Sequence, residues 1–165
     1  MTLSQFIQAN SLKPADAIVV RKDFIGLLDH YLIYLGHYNN EHKFIANYTK
    51  GTRILSYAEL NKFSNQFTPS RIRRFKGNQI QRSAAVERAW SRKDETSYHL
   101  LLNNCEHYAN YVQSNSEYSQ QTTTFGTGLA ITGLAAAAMS KNDAGKGIGL
   151  AMAALGLLTL LLDEE

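Results

Sequence analysis

Cysteine is nearly absent from this 165-residue chain, with Cys105 as the one thiol. A single thiol cannot close an intrachain disulfide, so nothing in the sequence calls for an oxidising compartment. Residues 1–10 lack a basic n-region and an apolar core, so no signal peptide is expected there. There is no P-loop. Gly145, Gly147 and Gly149 follow no predicted strand and open a uniformly apolar helix, which is not a dinucleotide fingerprint. Cys105-Glu106-His107 and the pair His37 and His42 do not match structural zinc spacings. Neither a cofactor nor a metal is therefore expected.

Charge is spread unevenly. Residues 1–124 carry a net +5 and residues 125–165 a net −2. Much of the positive charge falls between Arg71 and Lys93, and such a stretch can face anionic lipid or nucleic acid. Aromatic residues do not interleave with it as a base-stacking platform requires, so no nucleic acid is expected as a partner. A solvated helix face and loop explain the stretch as well.

Pro14-Ala15-Asp16 is a turn signal after a weakly amphipathic lead-in. Ala17–Arg21 reads as a short β-branched strand. His30–Leu35 is apolar on both alternating faces and predicts a central, buried strand closed by Gly36. His37–His42 reads as a hairpin turn and Lys43–Tyr48 as the returning strand, ended by Gly51. Tyr57–Asn65 suits a short helix or turn, and Arg71–Phe75 a further strand. Gln79–Ser91 has helical spacing. Asn103 and Asn104 are N-cap candidates for a helix over Cys105–Val112, approached by the apolar residues Tyr98 and Leu100–Leu102.

Residues 114–124 are polar and read as a linker. Two apolar blocks follow, residues 125–139 and 147–162, with Ser140–Lys146 between them. Each is shorter than the ~20 residues that span a bilayer. The second, extended back to Ala144, suits one tilted anchor; both together suit a helical hairpin, buried or in lipid. Gly145, Gly149 and Ala153 recur four apart and allow close helix packing. So apolar a tail is hard to hide behind a domain of this size, which favours membrane contact.

The chemistry centres on the thiol. A thiolate is the nucleophilic form, and three features can supply it: the positive end of a helix, an imidazole to take the proton, and a polar group to fix that imidazole. The backbone N–H of Cys105 can add to an oxyanion hole. Among five histidines, His107 lies about 200° around the helix from Cys105 and reads as structural. His37 and His42 sit in the turn, and His99 reads as a partly exposed residue before the cap. His30 opens an apolar strand, where its ring needs a partner, and is the candidate base.

These pieces resemble the lecithin retinol acyltransferase family, including the HRAS-like suppressor phospholipase/acyltransferases, in the permuted papain-like clan. Pro14–Val20 is similar to its opening strand, and His30-Tyr31-Leu32-Ile33-Tyr34-Leu35-Gly36 to its histidine strand. Arg82–Trp90 with Tyr98–Leu101 is similar to its helix and lead-in, and Asn103-Asn104-Cys105-Glu106-His107-Tyr108-Ala109 to its cysteine block. The resemblance implies an α+β fold in which a small antiparallel sheet carrying His30 and Asn47 packs against the cysteine-bearing helix, with a C-terminal hydrophobic helical tail.

It also implies a catalytic domain over residues 1–113 and a membrane-associating tail over 125–165. Cys105 becomes the nucleophile and His30 its base. Where the family usually has a second histidine, Asn47 stands; it can orient an imidazole through its carbonyl but supplies no charge. An alignment shifted by a few residues puts His42 there instead. The implied activity moves an acyl group from a phospholipid through a thioester to water, an amine or an alcohol, on the cytoplasmic side of a membrane. A cysteine amidase or peptidase of the same clan, and a degenerate membrane scaffold, are the competing readings.

Overall fold

The computed structural model describes residues 2–21, 29–56, 58–60, 69–96, 104–116 and 118–163. The chain divides into two compact units, residues 1–117 and 118–165.

The first unit is α+β. Strands β1 (Ala17–Arg21), β2 (Asp29–Tyr38), β3 (Glu41–Tyr48), β4 (Gly51–Ile54) and β5 (Pro69–Arg73) form one sheet in the order β4-β3-β2-β1-β5. Every neighbouring pair is antiparallel. Helix α1 (Leu3–Ala9) precedes the sheet; α2 (Gln79–Ser91) and α3 (Cys105–Ser114) follow it. The expected central strand is central. Tyr31, Ile33 and Leu35 enter one buried cluster with α2 and α3, while Leu32 and Tyr34 enter a second with Leu3 and Ile7 of α1. Period-two alternation with both faces apolar thus gives a strand covered on both sides. Asn39 and Asn40, both at positive φ, make the tight turn between β2 and β3.

The first unit differs from the sequence expectations at three places, the first being the hairpin: His37 and His42 pair within β2 and β3 and leave only Asn39-Asn40 as the turn. The lead-in is a helix, started by a capping box between Thr2 and Gln5. The returning strand does not end the hairpin either: Gly51, at φ +107°, begins β4. A Cβ there would come within 3.0 Å of the Glu95 carbonyl oxygen, which accepts the Thr52 N–H at 2.8 Å. Residues 58–60 are helical; the rest of the expected Tyr57–Asn65 element, together with Tyr98–Asn103, lies outside the described residues.

Asp16 ties the sheet edge together. Its buried carboxylate accepts the backbone N–H groups of Lys13 and Phe75 and guanidinium groups from Arg74 and Arg82. Two further arginines of the basic stretch are also engaged internally. Arg73 bonds Asn110 and Gln113, and Arg88 donates to the Tyr111 and Val112 carbonyls at the end of α3. The Tyr111 carbonyl also accepts the Asn115 N–H at 2.9 Å, and the guanidinium beside both carbonyls opposes the negative end of the dipole.

The second unit is a pair of antiparallel helices, α4 (Gln120–Met139) and α5 (Asp143–Asp163). α4 begins five residues before the apolar block, inside the expected linker, because the Ser119 hydroxyl accepts the Thr122 N–H and caps it. The helices meet backbone to backbone. A Cβ on Gly133, Gly149 or Gly156 would come closer than 3.0 Å to the facing main chain. Gly133 and Gly149 oppose each other, as do Gly126 and Gly156. Ala130 and Ala153 are buried, while Ile131, Leu134, Ile148, Leu155, Leu158 and Leu161 are more than half exposed. Small residues are thus inside and large apolar ones outside.

Candidate active site

Helix α3 starts at the site. Asn104 is its N-cap, and its side-chain oxygen accepts the N–H groups of Glu106 at 2.8 Å and His107 at 3.1 Å. His107 closes the capping box, its Nδ1 accepting the Asn104 N–H at 3.4 Å. The structure thus gives His107 the hydrogen-bonding role expected of it and makes Cys105 the first helical residue, at the positive end of the helix.

The Cys105 thiol is buried and donates to the Asp29 carbonyl at 3.2 Å. The next residue on β2 is His30, also buried. On β3, the Asn47 amide donates to the Asn104 carbonyl at 3.5 Å. The three sequence-predicted site residues therefore stand on three segments that touch one another: Asp29-His30, Asn47-Tyr48 and Asn104-Cys105. His42 does not join them. It pairs with His37 next to the hairpin turn and bonds the Tyr34 hydroxyl at 2.9 Å. Tyr34 is four residues from His30, roughly 13 Å along a strand. Burial and the neighbouring His37 hold the His42 pKa below the ordinary histidine value. His99 lies outside the described residues.

Sequence reasoning missed two groups. Tyr48 touches the His30 ring, with centroids 4.6 Å apart and planes tilted by 52°. The β2–β3 register, continued from Ile33↔Ile45, sets these residues side by side. The second group surrounds Glu106, which is buried beside the nucleophile candidate. The Tyr31 hydroxyl donates to Glu106 Oε1 at 3.0 Å and accepts from Arg71 Nη2 at 3.2 Å, while Arg71 also lies 3.6 Å from the Asp29 carboxylate. Burial and the Glu106 charge push the Tyr31 pKa up to about 12, so it stays a neutral donor. This network joins β5, β2 and the start of α3. No group of three or more His, Cys, Asp or Glu side chains that could hold a metal ion occurs among the described residues.

An α+β domain that sets a buried thiol at a helix N-terminus beside a histidine strand defines the class. The chain belongs to the lecithin retinol acyltransferase family: the family model matches residues 10–118, more than half of the chain. No curated protein matches it. The family is one of acyltransferases and phospholipase-type hydrolases. Beyond the matched residues, Asp143–Leu162 is long and apolar enough to cross a membrane.

Proposed function

We propose that this protein is a membrane-anchored acyltransferase or phospholipase-type hydrolase that carries phospholipid acyl groups as a thioester on Cys105. The observation that carries this reading is the approach of the Cys105 thiol, at the start of α3, to the Asp29 carbonyl beside His30. In the proposed reaction His30 takes the thiol proton and the thiolate attacks the acyl carbonyl carbon. The tetrahedral intermediate collapses, its ester C–O bond breaks, and the lysophospholipid oxygen leaves with the proton from the imidazolium. Water, an amine or an alcohol then gives a proton to His30 and attacks the thioester carbonyl carbon; the second tetrahedral intermediate collapses, its C–S bond breaks, and the His30 imidazolium returns the proton to the Cys105 sulfur. The helix dipole favours the thiolate. Asn47 acts in this scheme by tying β3 to the Asn104 cap, which keeps the thiol in register with β2.

The tail supports a lipid location. In water a helix pair buries its large apolar side chains; here small residues fill the contact and leucines and isoleucines face outward. That arrangement suits a hydrocarbon solvent, where helices associate by close backbone packing at small residues. Helices of 20 and 21 residues are each about 30 Å long, the thickness of the hydrocarbon core. α4 has no charged residue. α5 then crosses, with α4 packed against it through the small residues. The cytoplasmic side keeps the thiol reduced.

The test is intact-mass spectrometry of full-length protein in mixed phospholipid micelles, with wild type beside Cys105→Ala and His30→Ala. The expected result is an acyl-sized increment on wild type alone that hydroxylamine removes. No increment on folded wild-type protein would reject the thioester and make peptide substrates the next trial.

A further inference from the structure

We propose that Tyr48 is a positioning residue for the His30 imidazole, acting through ring contact and braced by Arg53 and Glu59. This rests on the reading of His30 as the base for Cys105. A base on an edge-exposed ring would have two broad χ2 wells to choose from. Here the Tyr48 ring stands 4.6 Å from the imidazole centroid at a 52° tilt, a favourable aromatic arrangement.

Tyr48 is itself held. The Arg53 guanidinium carbon lies 4.7 Å from the Tyr48 ring centroid, within cation–π range. Arg53 is fixed by a two-point pairing with Glu59, Nη1 to Oε2 at 2.9 Å and Nη2 to Oε1. Glu59 in turn accepts the Ser56 N–H at 2.9 Å and its hydroxyl at 2.8 Å. The chain of contacts runs from the Glu59 carboxylate, on the helical residues 58–60, to the imidazole, and its Arg53–Glu59 step is bidentate.

The Tyr48 hydroxyl clarifies which part of the side chain matters. It is buried and has no hydrogen-bond partner among the described residues. Buried hydroxyls ordinarily find partners. Among the described residues, therefore, ring contacts and no polar contact fix this phenol. Burial, opposed by Arg53 and reinforced by Glu59 and Cys105, raises the Tyr48 pKa, so the group is a neutral ring at any working pH. Register accounts for the placement: continuing the β2–β3 pairing brings residue 48 beside residue 30 at the strand end where the thiol meets Asp29.

The experiment is the pH–rate profile of Cys105 alkylation by iodoacetamide in the full chain in detergent, which needs no acyl substrate. It compares wild type with Tyr48→Phe, Tyr48→Leu, Arg53→Met and His30→Ala. Tyr48→Phe keeps the ring and is expected within about twofold of wild type. Tyr48→Leu is expected to slow alkylation at neutral pH by roughly three- to tenfold, with the profile moving toward that of an ordinary thiol at about pH 8.5. Arg53→Met leaves the core intact and is expected to shift the profile the same way by a smaller factor, so the proposal stays testable should the leucine variant fail to fold. Equal losses for Tyr48→Phe and Tyr48→Leu, or an unshifted profile in both Tyr48→Leu and Arg53→Met, would overturn it. Should His30→Ala leave the profile unchanged, the underlying base assignment fails, and the Tyr48 proposal with it. A shift in His30→Ala without one in Tyr48→Leu sinks the Tyr48 proposal alone.

Discussion

Replacing Asp16 by asparagine tests how the sheet edge is held. The carboxylate receives four donors: the N–H of Phe75 at 3.0 Å, the N–H of Lys13 at 3.1 Å, and guanidinium nitrogens of Arg74 and Arg82, each at 3.0 Å. Asparagine keeps the shape but turns one acceptor oxygen into an NH2 group that faces a donor. The Arg82 side chain is 13% exposed, so its interaction counts nearly in full; Arg74 is 46% exposed, and solvent screening leaves it little weight. A buried pair broken on one side costs about 3 kcal/mol, with the misplaced amide included. For a domain of this size that corresponds to a fall in Tm of about 10 °C. Burial alone would raise the Asp16 pKa, but the Phe75 and Lys13 amides and the two arginines bring it below the ordinary carboxylate value. A depressed folded pKa gives stability that is present above the unfolded pKa and is lost as pH falls through the folded one. Wild type therefore loses stability in acid, and Asp16→Asn is the flatter of the two. Thermal unfolding between pH 3 and 7 measures both effects. A loss under about 1 kcal/mol at pH 7, or parallel pH curves, would refute the account of Asp16 as the anchor.

Asn104→Ala removes the acceptor for two first-turn amides and is expected to cost about 1 kcal/mol, while Asn104→Ser, which retains an acceptor, costs less; thermal unfolding ranks them. Gly149→Leu places a side chain where even a Cβ is closer than 3.0 Å to the Gly133 and Ala137 backbone. It is expected to separate α4 from α5, so that cysteines introduced at Ala130 and Ala153 in a Cys105→Ala background no longer cross-link in liposomes. Retained cross-linking would count against the close-packed hairpin.

Much of the first unit was readable because its strands carry their own signals. Ala17–Arg21 is β-branched, and His30–Leu35 is apolar on both faces, which only a covered strand tolerates. The start of α3 was readable because asparagine before a helical pattern has one common use. β4 was not readable: four residues hold too little alternation, and the Glu95 carbonyl that receives it is distant in sequence. The start of α4 was hidden for a different reason. Residues 120–124 are polar and favour local alternatives to helix, and the Ser119 cap overrides that preference. At the site, Cys105, His30 and Asn47 came from the motifs, and the structure sets their segments in contact. Tyr48 did not, because a tyrosine in a strand reads as core, and its meeting with His30 depends on register carried through a bulge between Tyr34 and Gly36. Glu106 adjoins the thiol in sequence, but its link to Tyr31 crosses 75 residues.

The central position of β2 bears on the timescale of the chemistry. A strand bonded on both sides and covered on both faces opens only in near-global unfolding, so its amides exchange with solvent among the slowest in the domain. His30 sits at the end of that strand, and Cys105, whose thiol meets the Asp29 carbonyl of β2, opens a helix whose Asn104 cap is tied by Asn47 to β3. On the proposed mechanism, the geometry between His30 and the Cys105 sulfur is thus fixed when the domain folds, and little reorganisation energy would be left for an arriving acyl chain to overcome.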